Sequence, residues 1–328
     1  MTRQILWGMI GCGNVTEKKS APAFNKIPHA RLVAVMNRTP EKAQQYAERH
    51  NVPKWYLTAD ELINDSEVNA IYIATPPDSH LEYTLKAAKA GKPVYVEKPM
   101  ARTHAECVQM IAACAQANVP LFVAYYRRYL PKFLKVKELI NTKAIGQIRF
   151  VNIQLTSTFK SGDENSQSLP WRVLPEIAGG GHFYDLAAHQ LDLLDFFFGK
   201  ISFANGFSAN QAHLYPAEDI VVGSFVFESG ILGNGTWCFT LDKSSEQDEI
   251  RIEGSKGSIR FATFDGEPVM LQNEMGKQIF EVETPENVQL YLIQAIVNEL
   301  VGGGKCISTG ISGARTNWVM ERIATKEL

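Results

Sequence analysis

What most limits the fold of this chain is an alternation of two hydrophobic periods over its first 124 residues. Residues 5–10 read as a buried strand and 14–27 as a helix; 31–36 and 40–50 repeat the pair. A short strand fits 54–57. The segment 58–65 reads as a helix, with Thr58 as N-cap and Glu61 as its capping-box partner three residues on. Strands at 70–75, 94–96 and 120–124 then alternate with helices at 79–90, stopped by Gly91, and at 103–117. Strands separated by helices of roughly 10–15 residues imply right-handed βαβ units and a parallel sheet covered on both faces.

Beyond Pro131 the pattern changes. A helix near 132–141 leads into a long strand at 147–158, followed by an irregular polar stretch at 160–168. Three glycines, Gly179 to Gly181, precede a helix at 182–198. Strands are then expected at 203–211, 220–227, 231–240, 249–253 and 258–261, and helices at 288–301 and 313–325. Strands joined by short turns favour an antiparallel sheet. The expected fold class is therefore α/β: a Rossmann domain with a doubly wound parallel sheet over 1–125, which binds dinucleotide. A C-terminal α+β domain over 126–328, with an open, mostly antiparallel sheet, would bind substrate and mediate oligomerisation.

Composition excludes several alternatives. Lys and Arg number 33 against 35 Asp and Glu, a net charge of −2. Polymeric nucleic acid needs a basic surface, so it is not an expected partner. The most apolar late run, 191–198, is interrupted by Asp192 and Asp195 and falls far short of the ~20 residues that span a bilayer, so no membrane partner is expected. Cys12, Cys107, Cys114, Cys238 and Cys306 are odd in number and form no C-x-x-C pair, which suits a reducing compartment. With no signal-like h-region at the start, the expected location is cytoplasmic.

Five motifs carry chemistry. Gly8-Met9-Ile10-Gly11-Cys12-Gly13-Asn14-Val15-Thr16 follows an apolar strand and opens a helix. In that setting Gly11 makes the tight turn and Gly13 lets backbone approach a pyrophosphate. The N–H groups near Asn14 and Val15 then face the phosphates. Thr16 replaces the third glycine. The second strand ends at Asn37-Arg38, where an NAD site usually has an acidic residue for the ribose 2′-hydroxyl. Arg38 would instead pair with a 2′-phosphate, which favours NADP over NAD. Thr75-Pro76-Pro77-Asp78-Ser79-His80 follows another strand and would wall the cofactor crevice. Glu97-Lys98-Pro99 places a lysine just past a buried strand at the edge that carries the glycine loop. There it can shuttle a proton or polarise a substrate oxygen.

The last constellation is the helix after the glycine run. Asp185 and His189 are four apart and share one face. With Lys98 they form an acid/base set for taking a hydroxyl proton while hydride leaves the carbon. His182, Asp185 and His189 also resemble a helical metal site, but no Cys or His cluster completes it, and no metal is expected. His182 is placed with Asp185 on the substrate side.

Taken together, these residues resemble the glucose–fructose oxidoreductase / inositol dehydrogenase (Gfo/Idh/MocA) family over nearly the whole chain. Gly11, Gly13, Glu97-Lys98-Pro99 and the glycine run with Asp185 and His189 follow the family order. So do Tyr126-Arg127-Arg128-Tyr129-Leu130-Pro131 and Pro170-Trp171-Arg172. The resemblance implies a nicotinamide cofactor near Lys98, with Lys98 orienting or polarising the reacting hydroxyl, His189 as main proton acceptor or donor, and Asp185 positioning substrate or tuning His189. Arg128 would lie by the cofactor, and Trp171 and Arg172 on the substrate rim. Ala187 stands where many members have glycine. The implied activity is interconversion of a secondary alcohol and a ketone on a sugar, polyol or cyclic diol by a homodimer or homotetramer. An NAD-dependent glycoside hydrolase of similar fold and a non-catalytic cofactor-binding sensor are the alternatives.

Overall fold

The computed structural model describes residues 4–165 and 167–324 of the chain; Met1, the Ser166 position within the polar stretch and Thr325, the expected end of the last helix, lie outside the described residues. Two compact units are present. The first comprises residues 1–129 and 285–314, and the second residues 130–284 and 315–328.

In the first unit, six strands form one parallel sheet: β1 (Ile5–Ile10), β2 (Ala30–Met36), β3 (Lys54–Tyr56), β4 (Ala70–Ile73), β5 (Val94–Val96) and β6 (Leu121–Val123). Their spatial order is β3-β2-β1-β4-β5-β6, the doubly wound arrangement whose strand order reverses between β1 and β4. Burial explains the unbroken apolar runs, since β4 and β5 are buried at every position. Trp7, fully buried, packs its ring 5.0 Å from Phe24 and 6.4 Å from Tyr95. The capping box of Thr58 and Glu61 forms as the spacing predicts. The expected helix at 14–27 is instead two short pieces, Asn14–Lys18 and Ala21–Phe24. Pro22 sits in the first turn of the second piece, where its missing N–H costs nothing, and cannot continue a preceding helix.

The second unit is built on an eight-stranded sheet. Its members are β7 (Ile148–Thr156), β8 (Ile201–Ala209), β9 (Ile220–Phe227), β10 (Leu232–Cys238), β11 (Gln247–Gly254), β12 (Gly257–Phe261), β13 (Val269–Asn273) and β14 (Gly276–Phe280). The order is β14-β13-β12-β11-β7-β10-β9-β8. All pairs are antiparallel except β10 with β7, so the sheet is mixed. β13 and β14 form a further hairpin at one edge, beyond the strands expected from the sequence. One face is buried: Val151, Ile153, Phe225, Trp237, Ile250 and Ile252 alternate with polar or exposed neighbours. Helix His182–Phe198 packs against that face, where Phe183 meets Trp237 edge-on at 5.0 Å and Phe198 meets Phe227 at 5.2 Å. Burying a side chain such as Phe225 stabilises by ~1.5–3 kcal/mol.

Candidate active site

In the first unit the candidate residues gather at the β1/β4 reversal. Gly11 has φ +104°, a left-handed value, and a Cβ there would stand 2.7 Å from the Ala74 carbonyl oxygen. Only glycine fits both demands. Gly13 is the opposite case: a Cβ would meet nothing within 4 Å, so the space before the helix start at Asn14 and Val15 is open. A tight turn followed by an open backbone at a helix start suits a pyrophosphate. Thr16, in the third fingerprint position, is fully buried and gives its hydroxyl to the Gly13 carbonyl at 2.7 Å, so its extra polar atom is satisfied. Cys12 is an inert thiol here, since burial pushes its pKa up to about 12.

At the end of β2, Asn37 accepts the Thr39 N–H at 3.0 Å, while Arg38 is exposed. Across the crevice, Thr75 and Pro76 are half-buried and Pro77 is buried. His80 is fully buried beneath them. Its Nε2 lies 2.8 Å from the Thr75 carbonyl, and its Nδ1 3.2 and 3.1 Å from the carbonyls of Pro99 and Met100. It therefore clasps the proline loop to the segment after Lys98. Burial holds its pKa below the ordinary histidine value.

Lys98, half-buried, follows the carboxyl end of β5. The preceding Glu97 is only 6 % exposed. Its Oε1 accepts the Tyr72 hydroxyl and the Gln289 amide, each at 2.7 Å, and its Oε2 accepts the Lys98 N–H at 3.3 Å. Tyr72 bonds on to Ser20 at 2.9 Å, and Tyr95 gives its hydroxyl to Gln289 at 2.6 Å. Tyr72 and Tyr95 are register partners on β4 and β5, with rings stacked 4.8 Å apart. This network clamps the backbone that carries Lys98. The sequence reading missed Tyr72, Tyr95 and Gln289. Two tyrosines inside fully buried strands were the available signal, because each hydroxyl needs a partner there. Arg128 is 4 % exposed, and its Nη1 donates to the Ile307 carbonyl at 3.3 Å.

In the second unit the candidate residues gather at the start of helix His182–Phe198. Gly179 takes a left-handed φ of 88° at a helix end, and Gly180 and Gly181 are packed closely. The Gly181 N–H donates to Glu218 Oε1 at 2.7 Å, and a Cβ on Gly181 would lie 2.6 Å from the Glu218 carbonyl oxygen. A Cβ on Gly180 would run into the Tyr184 ring. Asp185 and His189 share a helix face as their spacing requires. Asp185 Oδ2 accepts from Arg172 Nε at 3.1 Å, and the guanidinium stacks on Trp171 with its carbon 4.3 Å from the ring centroid. His189 is buried, its ring 6.0 Å from that of Phe264. On the opposite flank, Trp237 gives its indole N–H to Gln190 at 2.7 Å and fixes the helix to the sheet.

His182 is buried and bonds through Nε2 to Asp163 Oδ2 at 2.8 Å; both side chains are about 2 % exposed or less. Burial and the charge of Lys160 hold its pKa below the ordinary value. The neutral form with the proton on Nε2 donates to Asp163 and leaves Nδ1, which has no hydrogen-bond partner, as a bare lone pair. Among the described residues no cluster of three or more His, Cys, Asp or Glu side chains is placed to hold a metal. No helix among them is long and apolar enough to cross a membrane.

Comparison with known proteins agrees with this arrangement. Residues 5–125 match the model of the oxidoreductase family with an NAD-binding Rossmann fold, and 133–260 match the GFO/IDH/MocA C-terminal domain. The chain is 39 % identical to oxidoreductase P35 of Formosa agariphila over 297 residues, 90 % of this chain and 91 % of that one. It is 26 % identical to 1,5-anhydro-D-fructose reductase of Ensifer adhaerens, covering 94 % of this chain and 91 % of the other. The aldose-aldose oxidoreductase of Caulobacter crescentus, solved with glycerol, superposes with a TM-score of 0.87 at 27 % identity, over 98 % of this chain and 96 % of that one. With its Rossmann domain built to take a nicotinamide dinucleotide and its relatives named for sugar oxidoreduction, the chain is an oxidoreductase of the Gfo/Idh/MocA family.

Proposed function

We propose that the protein is an NADP-preferring dehydrogenase that interconverts a secondary hydroxyl and a ketone on a sugar, polyol or cyclic diol. The observation that carries this reading is Lys98. It stands at the carboxyl end of β5, on the same sheet edge as the Gly11–Gly13 turn, and buried Glu97 clamps its backbone. The names of the relatives, a 1,5-anhydro-D-fructose reductase and an aldose-aldose oxidoreductase, support a carbohydrate substrate.

Gly11, Gly13 and the amides at Asn14 and Val15 would hold the pyrophosphate, with Thr75, Pro76 and Pro77 as the opposite wall. NADP is favoured because Arg38 is exposed and no carboxylate stands at the end of β2 to repel a 2′-phosphate. A nicotinamide bound there supplies the hydride acceptor, or the donor in reverse. Lys98 orients the reacting hydroxyl and stabilises negative charge on its oxygen. His189 takes the O–H proton as the C–H electron pair departs and C=O forms. Asp185, held by Arg172, positions the substrate beside it.

We further propose that a second copy of the chain covers the open face of the β7–β14 sheet. Phe203, 61 % exposed, and Phe207, 57 % exposed, stand there with Val222, Leu232 and Phe150. Apolar groups gathered in this way mark an association surface.

The test is to incubate purified protein with NADP or NAD and a panel of sugars, polyols and cyclic diols, following reduced nicotinamide. Turnover with NADP ahead of NAD is expected, and Arg38→Asp should reverse that order. Release of a phenol from an aryl glycoside with no net cofactor reduction would point instead to hydrolysis.

A further inference from the structure

Arg172 is held unusually firmly for a half-exposed side chain. It lies in a single 3₁₀ turn, Trp171–Val173. That turn is anchored by Val173, fully buried beside Tyr215 and Ala217, and by the Val173 N–H, which donates to the Pro170 carbonyl at 3.1 Å. The guanidinium is then fixed twice: Nε donates to Asp185 and the plane stacks on Trp171. The side chain is 43 % exposed, and among the described residues Nη1 and Nη2 donate to no protein acceptor. The end-on edge of the fork is therefore pre-oriented and presented outward, at no further entropic cost on binding.

Charge adds to this geometry. Asp163 is 1 % exposed and spends its Oδ2 on His182 and on the Lys160 N–H at 3.1 Å. Lys160 contributes a second positive charge that is felt at His182. A neutral sugar hydroxyl can accept from one Nη but brings no charge. A carboxylate matches both Nη groups with two parallel, charge-assisted bonds.

We propose that the substrate is a sugar acid whose carboxylate is received by Nη1 and Nη2 of Arg172, which places its carbinol along the Asp185–His189 face. The proposal rests on the dehydrogenase reading for the role of that face, but its test reads binding separately. Calorimetric titration of the protein in excess NADP, and again in excess NAD, would compare acids with their neutral parents: glucuronate with glucose, galacturonate with galactose, gluconate with glucitol, and a hexose phosphate as the alternative oxyanion. At least one acid should bind more than about tenfold tighter than its parent, an advantage that shrinks with added salt. Arg172→Gln should abolish the preference, and Arg172→Lys, which keeps the charge without the fork, should retain only part of it. The proposal is overturned if no acid outbinds its parent, if the hexose phosphate binds tighter than every acid, or if Arg172→Gln keeps the preference. The wild-type comparison stands even if a variant folds poorly. A neutral sugar that is preferred and turned over would remove this proposal and leave the dehydrogenase. An acid bound selectively but never oxidised would do the reverse.

Discussion

Two glycines two residues apart in one loop do different work, and substitution separates them. Gly11→Ala meets a left-handed φ and a carbonyl oxygen 2.7 Å away, so it should cost at least ~1–2 kcal/mol of stability, seen as a lower melting temperature. Gly13→Ala has open space and an extended φ of −94°, so the apo melting temperature should barely move, while affinity for the dinucleotide falls more than about tenfold because the added methyl stands where phosphate must approach. Equal effects on both properties would contradict this division. The places of the Gly11–Gly13 turn and Lys98 at strand ends, and of Asp185 and His189 on one helix face, were legible in the sequence because periodicity locates them. The purpose of Gly179 to Gly181 was not. The close neighbour of Gly181 is Glu218, 37 residues away in sequence, and no local pattern reports that contact. For the same reason His182 could be read only as a residue near Asp185, whereas it is buried against Asp163.

At the level of elements, the parallel strands of the first sheet follow directly from their apolar runs. The helix expected at 14–27 breaks because Ser20 is drawn to Tyr72 and Pro22 restarts the chain. The β13–β14 hairpin is short and β14 has no fully buried position, so it carries little apolar signal. The clamp on Glu97 depends on Gln289, 192 residues distant. Tyr72→Phe removes one donor from this buried carboxylate and should cost ~1–3 kcal/mol in denaturant unfolding. It should also lower turnover, since Glu97 holds the backbone of Lys98; unchanged stability would show that the network is not needed. A pH effect follows from the histidines. His80 and His182 are both held below the ordinary value of about 6.5 by burial, so the unfolded chain binds more protons than the folded one in that range. Their contribution to stability is complete above that value and is lost as the pH falls below it. His182→Gln, whose amide can still donate to Asp163, should flatten the decline in melting temperature between about pH 7 and 5.5. A decline as steep as in the wild type would exclude His182 as a source.

For the whole molecule, the change of period near residue 125 announces two bodies, but the return of residues 285–314 to the first unit is written in tertiary contacts alone. Tyr95 meets Gln289, and Lys26 meets Glu286 and Asn287, across sequence distances that no local reading spans. The exposed aromatic face gives an assembly prediction. Wild-type protein should sediment as a dimer or tetramer, and Phe203→Glu with Phe207→Glu should shift it to a smaller species; identical sedimentation would place the interface elsewhere. Under the proposed mechanism Lys98 and His189 serve one hydride-transfer reaction. This is tested most directly by single-turnover formation of reduced nicotinamide, with cofactor and substrate both saturating, in the wild type, Lys98→Ala and His189→Ala. We expect each substitution to slow that step by about 10²–10⁴-fold while the dinucleotide still binds; a step that proceeds at the wild-type rate in either variant would contradict the mechanism.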